Sequence, residues 1–124
     1  MTSEPVDKWT GTPLSQWLEL VPGELDVDAV GFWQVIPALR ISFGLDDADI
    51  ERFARLAISN LLAHGARLVV RSGAPGEYWS EVATYGTTPE ENIDGVIGEW
   101  HALGRDPDVG DLWFARPDLF RDDP

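Results

Sequence analysis

Residues 47–72 read DADIERFARLAISNLLAHGARLVVRS, and within this stretch the spacing of the apolar side chains changes period. Ile50, Phe53, Ala57 and Leu61 recur at helical intervals, with Ala54, Ile58 and Leu62 beside them and Glu51, Arg52 and Arg55 on the opposite face. Asp47 stands where a helix cap is needed, and acids in the first turn favour the helix dipole. His64 followed by Gly65 marks a left-handed stop. Directly afterwards Leu68 and Val70 oppose Arg67, Val69 and Arg71, which is the two-residue period of a strand. A helix that hands over to a strand across one glycine predicts that the two structure types share one fold.

Toward the C-terminus, EYWSEVATY (77–85) alternates in the same way, with Tyr78, Ser80, Val82 and Thr84 against Trp79, Glu81, Ala83 and Tyr85. GAPG (73–76) joins the two runs as a hairpin turn. Neither face is wholly apolar, so one side of the hairpin is expected to be buried and the other wet or partnered. TTPEENIDGVIGEWHALG (87–104) is a second helix: Thr88, Pro89 and Glu91 form a capping box with proline at the first position, and Gly104 ends it. Ile93, Val96, Ile97, Trp100 and Leu103 make its apolar stripe. LWFARP (112–117) reads as a third strand, so Trp113 and Phe114 are expected on opposite faces, at least one of them against the preceding helix.

Toward the N-terminus, TPLSQWLEL (12–20) predicts a short helix with Thr12 as cap and Pro13 at the first helical position, stopped by VPG (21–23). Asp28 is placed to cap a helix that buries Phe32, Trp33, Ile36 and Leu39, kinked or split at Pro37. Residues 1–10 read as a loose arm. The expected architecture is a single α+β domain over residues 1–124: N-terminal helices, then a β-hairpin, a helix and a third strand, forming a small antiparallel sheet packed on helices.

Charge is the unusual quantity. Nine basic and 22 acidic residues give a net charge of −13. Residues 1–39 carry one Lys against six acids, residues 40–71 five Arg against four acids, and residues 72–124 three Arg against twelve acids. The C-terminal part is thus the acidic pole. A duplex or an anionic membrane is repelled by such a surface, and Arg52, Arg55, Arg67 and Arg71 are too well balanced by acids to make a DNA-recognition element. No apolar run approaches the ~20 residues of a membrane span. MTSEPVDKWTGTP has no apolar core of a secretory signal. With no cysteine, the chain suits a reducing cytoplasm and has neither disulfides nor a thiolate nucleophile.

The chemistry-bearing residues form no motif. None of the serines sits in a nucleophile elbow. The two histidines, His64 and His101, read as a helix end and as the exposed neighbour of Trp100. LDDADIE (45–51) and RDPDVGD (105–111) lack the glycine and distal glutamate of a calcium loop, and SGAPGE (72–77) lacks the helix and lysine of a phosphate cradle. No catalytic residue, metal site or cofactor is therefore expected. Six tryptophans are many for 124 residues. Trp17, Trp33 and Trp100 fall on helical stripes, whereas Trp79, Tyr85 and Trp113 lie on a small sheet that is hard pressed to bury them all.

NLLAHGARL (60–68), TPEENIDGVIGEW (88–100) and DPDVGDLWFARP (106–117) together resemble small bacterial immunity proteins of contact-dependent growth inhibition and related polymorphic toxin systems, with their leucine pair before a glycine, hairpin, PEE(Q/N)I-type helix start and late WF strand. The resemblance implies a cytoplasmic, non-enzymatic protein that neutralises a cognate toxin by occluding its basic active-site surface, and it brings no catalytic residues with it. An acidic exterior agrees with that role, because it speeds encounter with a cationic partner while a few desolvated anchors supply affinity. The expected anchors are Trp79, Tyr85 and Trp113, framed by Glu77, Glu81, Asp108 and Asp111. A regulatory, adaptor or phage-encoded inhibitor domain would use the same surface. A small enzyme or ligand carrier would instead gather Arg52, Arg55 or Arg71 in a pocket.

Overall fold

The computed structural model describes residues 4–108 and 111–117. Helix α1 (Leu14–Leu20) runs into a 3₁₀ turn (Val21–Asp26), strand β1 (Val30–Gly31), helix α2 (Phe32–Pro37) and a π-helical turn (Ala38–Ser42). Helix α3 (Asp47–Ala63), strands β2 (Arg67–Arg71) and β3 (Trp79–Glu81), helix α4 (Pro89–Leu103) and strand β4 (Trp113–Ala115) complete the order. The four strands form one antiparallel sheet in the order β1-β4-β2-β3, packed on the helices, so the fold is α+β.

The sheet order follows from side-chain alternation in β4. Phe114 is fully buried and meets Phe32 edge-on at 6.2 Å, within a core built from Val30, Leu68, Ile58, Leu61, Val96 and their neighbours. Trp113 turns to the other face. Phe114 stands opposite Val30 on one side and Leu68 on the other, so β4 ties the N-terminal half to the hairpin.

Several local expectations are corrected. Asp46, not Asp47, caps α3 by accepting from the Asp49 N–H at 2.9 Å. Pro13 is the cap residue of α1 rather than its first helical residue. Its missing cap is supplied from a distance, by the Glu4 carboxylate accepting from the Ser15 N–H. VPG does not stop the chain's coiling but tightens it into the 3₁₀ turn, in which Val21, Pro22 and Leu25 are buried. Asp28 caps no helix. Val30 and Gly31 form an edge strand, too short to show a period in the sequence, and α2 is capped by Gln34 reaching back to the Gly31 N–H at 2.7 Å. The strand read over 77–85 contracts to Trp79–Glu81, and Tyr85 leaves the sheet to lie on α4. Pro37 ends α2 and is followed by the π turn, as its lost donor requires.

The described part of the segment expected to be an arm, residues 4–10, is tied down. Val6 bridges Pro13, the Leu14 N–H donates to the Pro5 carbonyl at 2.9 Å, and the Lys8 N–H donates to the Ser42 carbonyl at 2.9 Å. Across the molecule, Arg40 forks onto Asp106 (Nε at 2.8 Å and Nη2 at 3.0 Å) and reaches Asp47 at 2.8 Å. One guanidinium thus joins the π turn, the start of α3 and the loop after α4. Among the described residues, no helix is long and apolar enough to cross a membrane.

Two expectations follow. Gly95 and Gly98 both lie inside α4, but a Cβ at Gly95 would stand 2.1 Å from the Tyr85 ring, whereas at Gly98 nothing lies within 4 Å. Urea unfolding should show Gly98→Ala stabilising by about 0.5–1 kcal/mol and Gly95→Ala destabilising by about 1–3 kcal/mol. Glu91 accepts from the Thr88 and Thr87 backbone N–H groups and from the Thr88 hydroxyl, which holds its carboxyl below the usual range. A lowered native pKa contributes stability above the unfolded value of about 4.3 and loses it as pH falls through the native one. The stability gap between the wild type and Glu91→Gln should be full at neutral pH and close on acidification, as read by thermal melts across pH.

Candidate functional site

The face of the sheet turned away from the main core carries a row of aromatic rings. Register partners share a face, so Arg67, Val69 and Arg71 of β2 project with Trp79 and Glu81 of β3 and with Trp113 and Ala115 of β4. Val69 is fully buried beneath the indoles of Trp79 and Trp113, which stand 5.3 Å apart. The row extends at one end to Tyr78, 5.0 Å from Trp79, and at the other to Trp33, 6.1 Å from Trp113. The Arg71 guanidinium lies 4.3 Å over the Tyr78 ring and 5.8 Å from that of Trp79. Trp79 itself is only 4% exposed; the accessible rings are Tyr78, at 37%, and the half-buried Trp33 and Trp113.

Glycine makes the row possible. A Cβ on Gly31 would fall 2.3 Å from Trp33 Nε1 and 3.2 Å from Trp113 Cε3, so the bare β1 backbone is the bed on which both indoles rest. Gly31 has an ordinary φ of −83°, so space and not backbone strain is what requires it. The buried Trp33 Nε1–H has no acceptor among the described residues, which leaves its place in the row to packing.

The seven expected partner-binding residues divide among different regions. Trp79 and Trp113 come together on the aromatic row, with exposed Glu77 just before β3 and exposed Glu81 on it. Tyr85 is not with them. It packs against α4 in the main core and donates to Glu99 at 3.3 Å, and burial first, then the Glu99 charge, pushes its phenol pKa up. Asp111 lies on that same helix side, lining a cleft with Glu99, Trp100 and Leu112. The Asp108 N–H at 2.8 Å and the Arg105 guanidinium at 3.0 Å hold Asp111 below its usual range. Asp108 sits at the edge of a groove lined by Trp33.

Trp33, Tyr78 and Arg71 belong to the row but were not among the expected anchors. The sequence places Trp33 on the buried stripe of a helix with Phe32, Ile36 and Leu39. Its membership depends on β1, which two residues are too few to announce.

Charged side chains are sorted unequally. Arg40, Arg52, Arg55, Arg105 and Arg116 each pair with carboxylates of the chain itself. Arg55 bridges Asp94 at 2.7 Å and Glu51 at 3.5 Å, and Glu51 also meets His101 Nε2 at 2.7 Å, joining α3 to α4. The His101 hydrogen bond is the main reason that Glu51 is held below its ordinary range. By contrast Glu19, Glu24, Asp28, Glu77, Glu81 and Glu90 have no cationic group within ion-pair distance among the described residues. Arg52, Arg55 and Arg71, the three cations a ligand carrier would gather, stand apart: two on α3 facing its own acids and α4, and one on the aromatic row. Among the described residues no three His, Asp or Glu side chains come together as a metal-binding group.

Comparison of the chain with protein-family models, with curated proteins and with solved structures returns no match.

Gly31→Ala should push Trp33 off the β1 backbone and open its contact with Trp113. The expected readout is a change in tryptophan fluorescence and in the Trp33 and Trp113 indole resonances, at a cost of about 1–3 kcal/mol in urea unfolding. Unchanged indole signals would show that the row does not rest on this glycine.

Proposed function

We propose that this chain is a non-enzymatic, cytoplasmic immunity protein that binds a cationic toxin domain and occludes its active-site surface. The observation that carries the reading is the unequal use of charge. Arg40, Arg52, Arg55, Arg105 and Arg116 are paired within the fold, Arg67 and Arg71 make no ion pair among the described residues, and the unpaired carboxylates along α1, the 3₁₀ turn, the β3 edge and the start of α4 outnumber those two cations. Surface ion pairs contribute little stability, about 0–1 kcal/mol each, so the surplus of acids has no evident folding purpose. A surface of one sign raises association rates by about 10–10³-fold and does so less as salt rises. Toxin nucleases have basic clefts suited to polyanions, and an acidic protein competes for the same surface. The aromatic row, with accessible Tyr78 and half-buried Trp33 and Trp113 beside Glu77 and Glu81, supports the second requirement, rigid anchors that supply affinity after encounter.

The test is co-expression with any toxin-like C-terminal domain that the neighbouring genes encode. A stable complex and rescue of growth are expected. Glu77→Lys with Glu81→Lys should slow association about tenfold or more at ~0.02 M salt, where the Debye length exceeds 20 Å, and hardly at all at ~0.5 M. An association rate indifferent to salt would remove the steering, and a toxin that kills despite a formed complex would remove the immunity role.

A further inference from the structure

Two arginines make no ion pair among the described residues, Arg67 and Arg71, and both project from β2 onto the aromatic face. Of the two, only Arg71 is held by rings. Its guanidinium lies 4.3 Å from the centre of the Tyr78 ring and 5.8 Å from that of Trp79. Those rings stand 5.0 Å apart at 76° to each other, so the cation faces both walls of a corner. The backbone around the corner is tied. The Ser72 N–H donates to the Tyr78 carbonyl at 3.0 Å, the Ala74 N–H to Ser72 Oγ at 3.1 Å and the Glu77 N–H to the Ala74 carbonyl at 3.2 Å. Trp79, the inner wall, is buried with Val69.

A guanidinium over a ring uses its flat face and keeps its N–H edge for an acceptor. Arg40 shows what that edge does when a carboxylate is at hand: it forks onto Asp106 through Nε and Nη2. Arg71 is exposed and makes no hydrogen bond among the described residues. Neither Glu77 nor Glu81 comes within ion-pair distance of it. Glu81 stands level with Val69, two residues back along β2. The donor edge of Arg71 is therefore unused within the described fold, beside the most accessible ring of the row, Tyr78.

We propose that Arg71, held against Tyr78 and Trp79, receives a carboxylate side chain from the protein segment that covers the aromatic row. This rests on the reading of the row as a partner-binding face and names one group that the partner brings to it. A segment that covers Tyr78 also takes the neighbouring guanidinium out of water. A desolvated cation without a counter-charge is costly, so a segment that fits carries an acceptor for it. A planar carboxylate matches the guanidinium fork with two parallel hydrogen bonds. The net charge of −13 repels a dianionic phosphate more than a single carboxylate. The partner is thus basic where it meets Glu77 and Glu81 and acidic at the point that meets Arg71. Such a pattern discriminates among basic partners, which overall charge does not.

The probe is a set of three capped peptides, glycine-leucine-X-leucine-glycine with glutamate, glutamine or lysine at X. Each is added at millimolar concentration to the full ¹⁵N-labelled chain at ~0.15 M salt, where charges more than ~8 Å away are screened. The glutamate peptide should shift the Arg71 Nε–H and Trp79 indole resonances and bind about tenfold tighter than the glutamine peptide, with the lysine peptide weakest. Arg71→Gln should erase that preference, and Arg71→Lys, which keeps the charge and loses the fork, should lose most of it. Tyr78→Leu, which keeps an apolar side chain and removes the ring, should weaken it. All three variants are at exposed positions and are checked for fold by circular dichroism. Equal binding of the glutamate and glutamine peptides, or a preference that survives Arg71→Gln, would overturn the carboxylate assignment and leave the row as a binding face. No shift with any peptide would overturn both, while steering by the unpaired carboxylates stands or falls on its own salt dependence. Displacement of the glutamate peptide by an equal concentration of inorganic phosphate would overturn the choice of carboxylate over phosphate.

Discussion

Strand β4 is three residues long, and the chain's two halves meet on it. Its alternation drives Phe114 into the core between Val30 and Leu68 and turns Trp113 outward over Val69. Burying a Phe side chain is worth about 2–3 kcal/mol in transfer alone, and its removal from a packed core more. Without that insertion β1 has no strand to pair with, and the hairpin loses its central neighbour. The same backbone geometry that closes the core therefore creates the aromatic surface on the reverse side. Core and candidate interface are two faces of one strand.

Charge organises the remainder. The Arg40 fork on Asp106 and Asp47 holds the π turn, the start of α3 and the loop after α4 in register, and the Arg55–Asp94 and His101–Glu51 contacts join α3 to α4. All of these pairs are partly solvated, so each fixes geometry more than it adds stability. Their larger consequence is on the outside. Each pair cancels a carboxylate together with its guanidinium, so the surplus of acids behind the net charge of −13 is left to the remaining, unpaired carboxylates.

The aromatic surface depends on small residues beneath it. Gly31 lets Trp33 and Trp113 rest on bare backbone, and Gly95 gives Tyr85 its place on α4. Tyr85 is thereby taken out of the interface to which strand alternation had assigned it. The hairpin ends at Glu81, and a ring that packs on a helix cannot also continue an edge strand.

The sequence by itself determined the two long helices, the hairpin, the late strand, the opposite facing of Trp113 and Phe114, and the sign of the surface. These are local or additive properties: a period of 3.6 or 2, a cap three residues from its partner, a count of charges. Only the tertiary structure decided that Val30 and Gly31 form a strand, that Glu4 caps a helix eleven positions away, and that Trp33 belongs with Trp79 and Trp113 while Tyr85 does not. A two-residue strand has no period to read, and a ring's neighbours across a sheet are set by which strands pair. That pairing is a long-range outcome of burying Phe114, which no window along the chain contains.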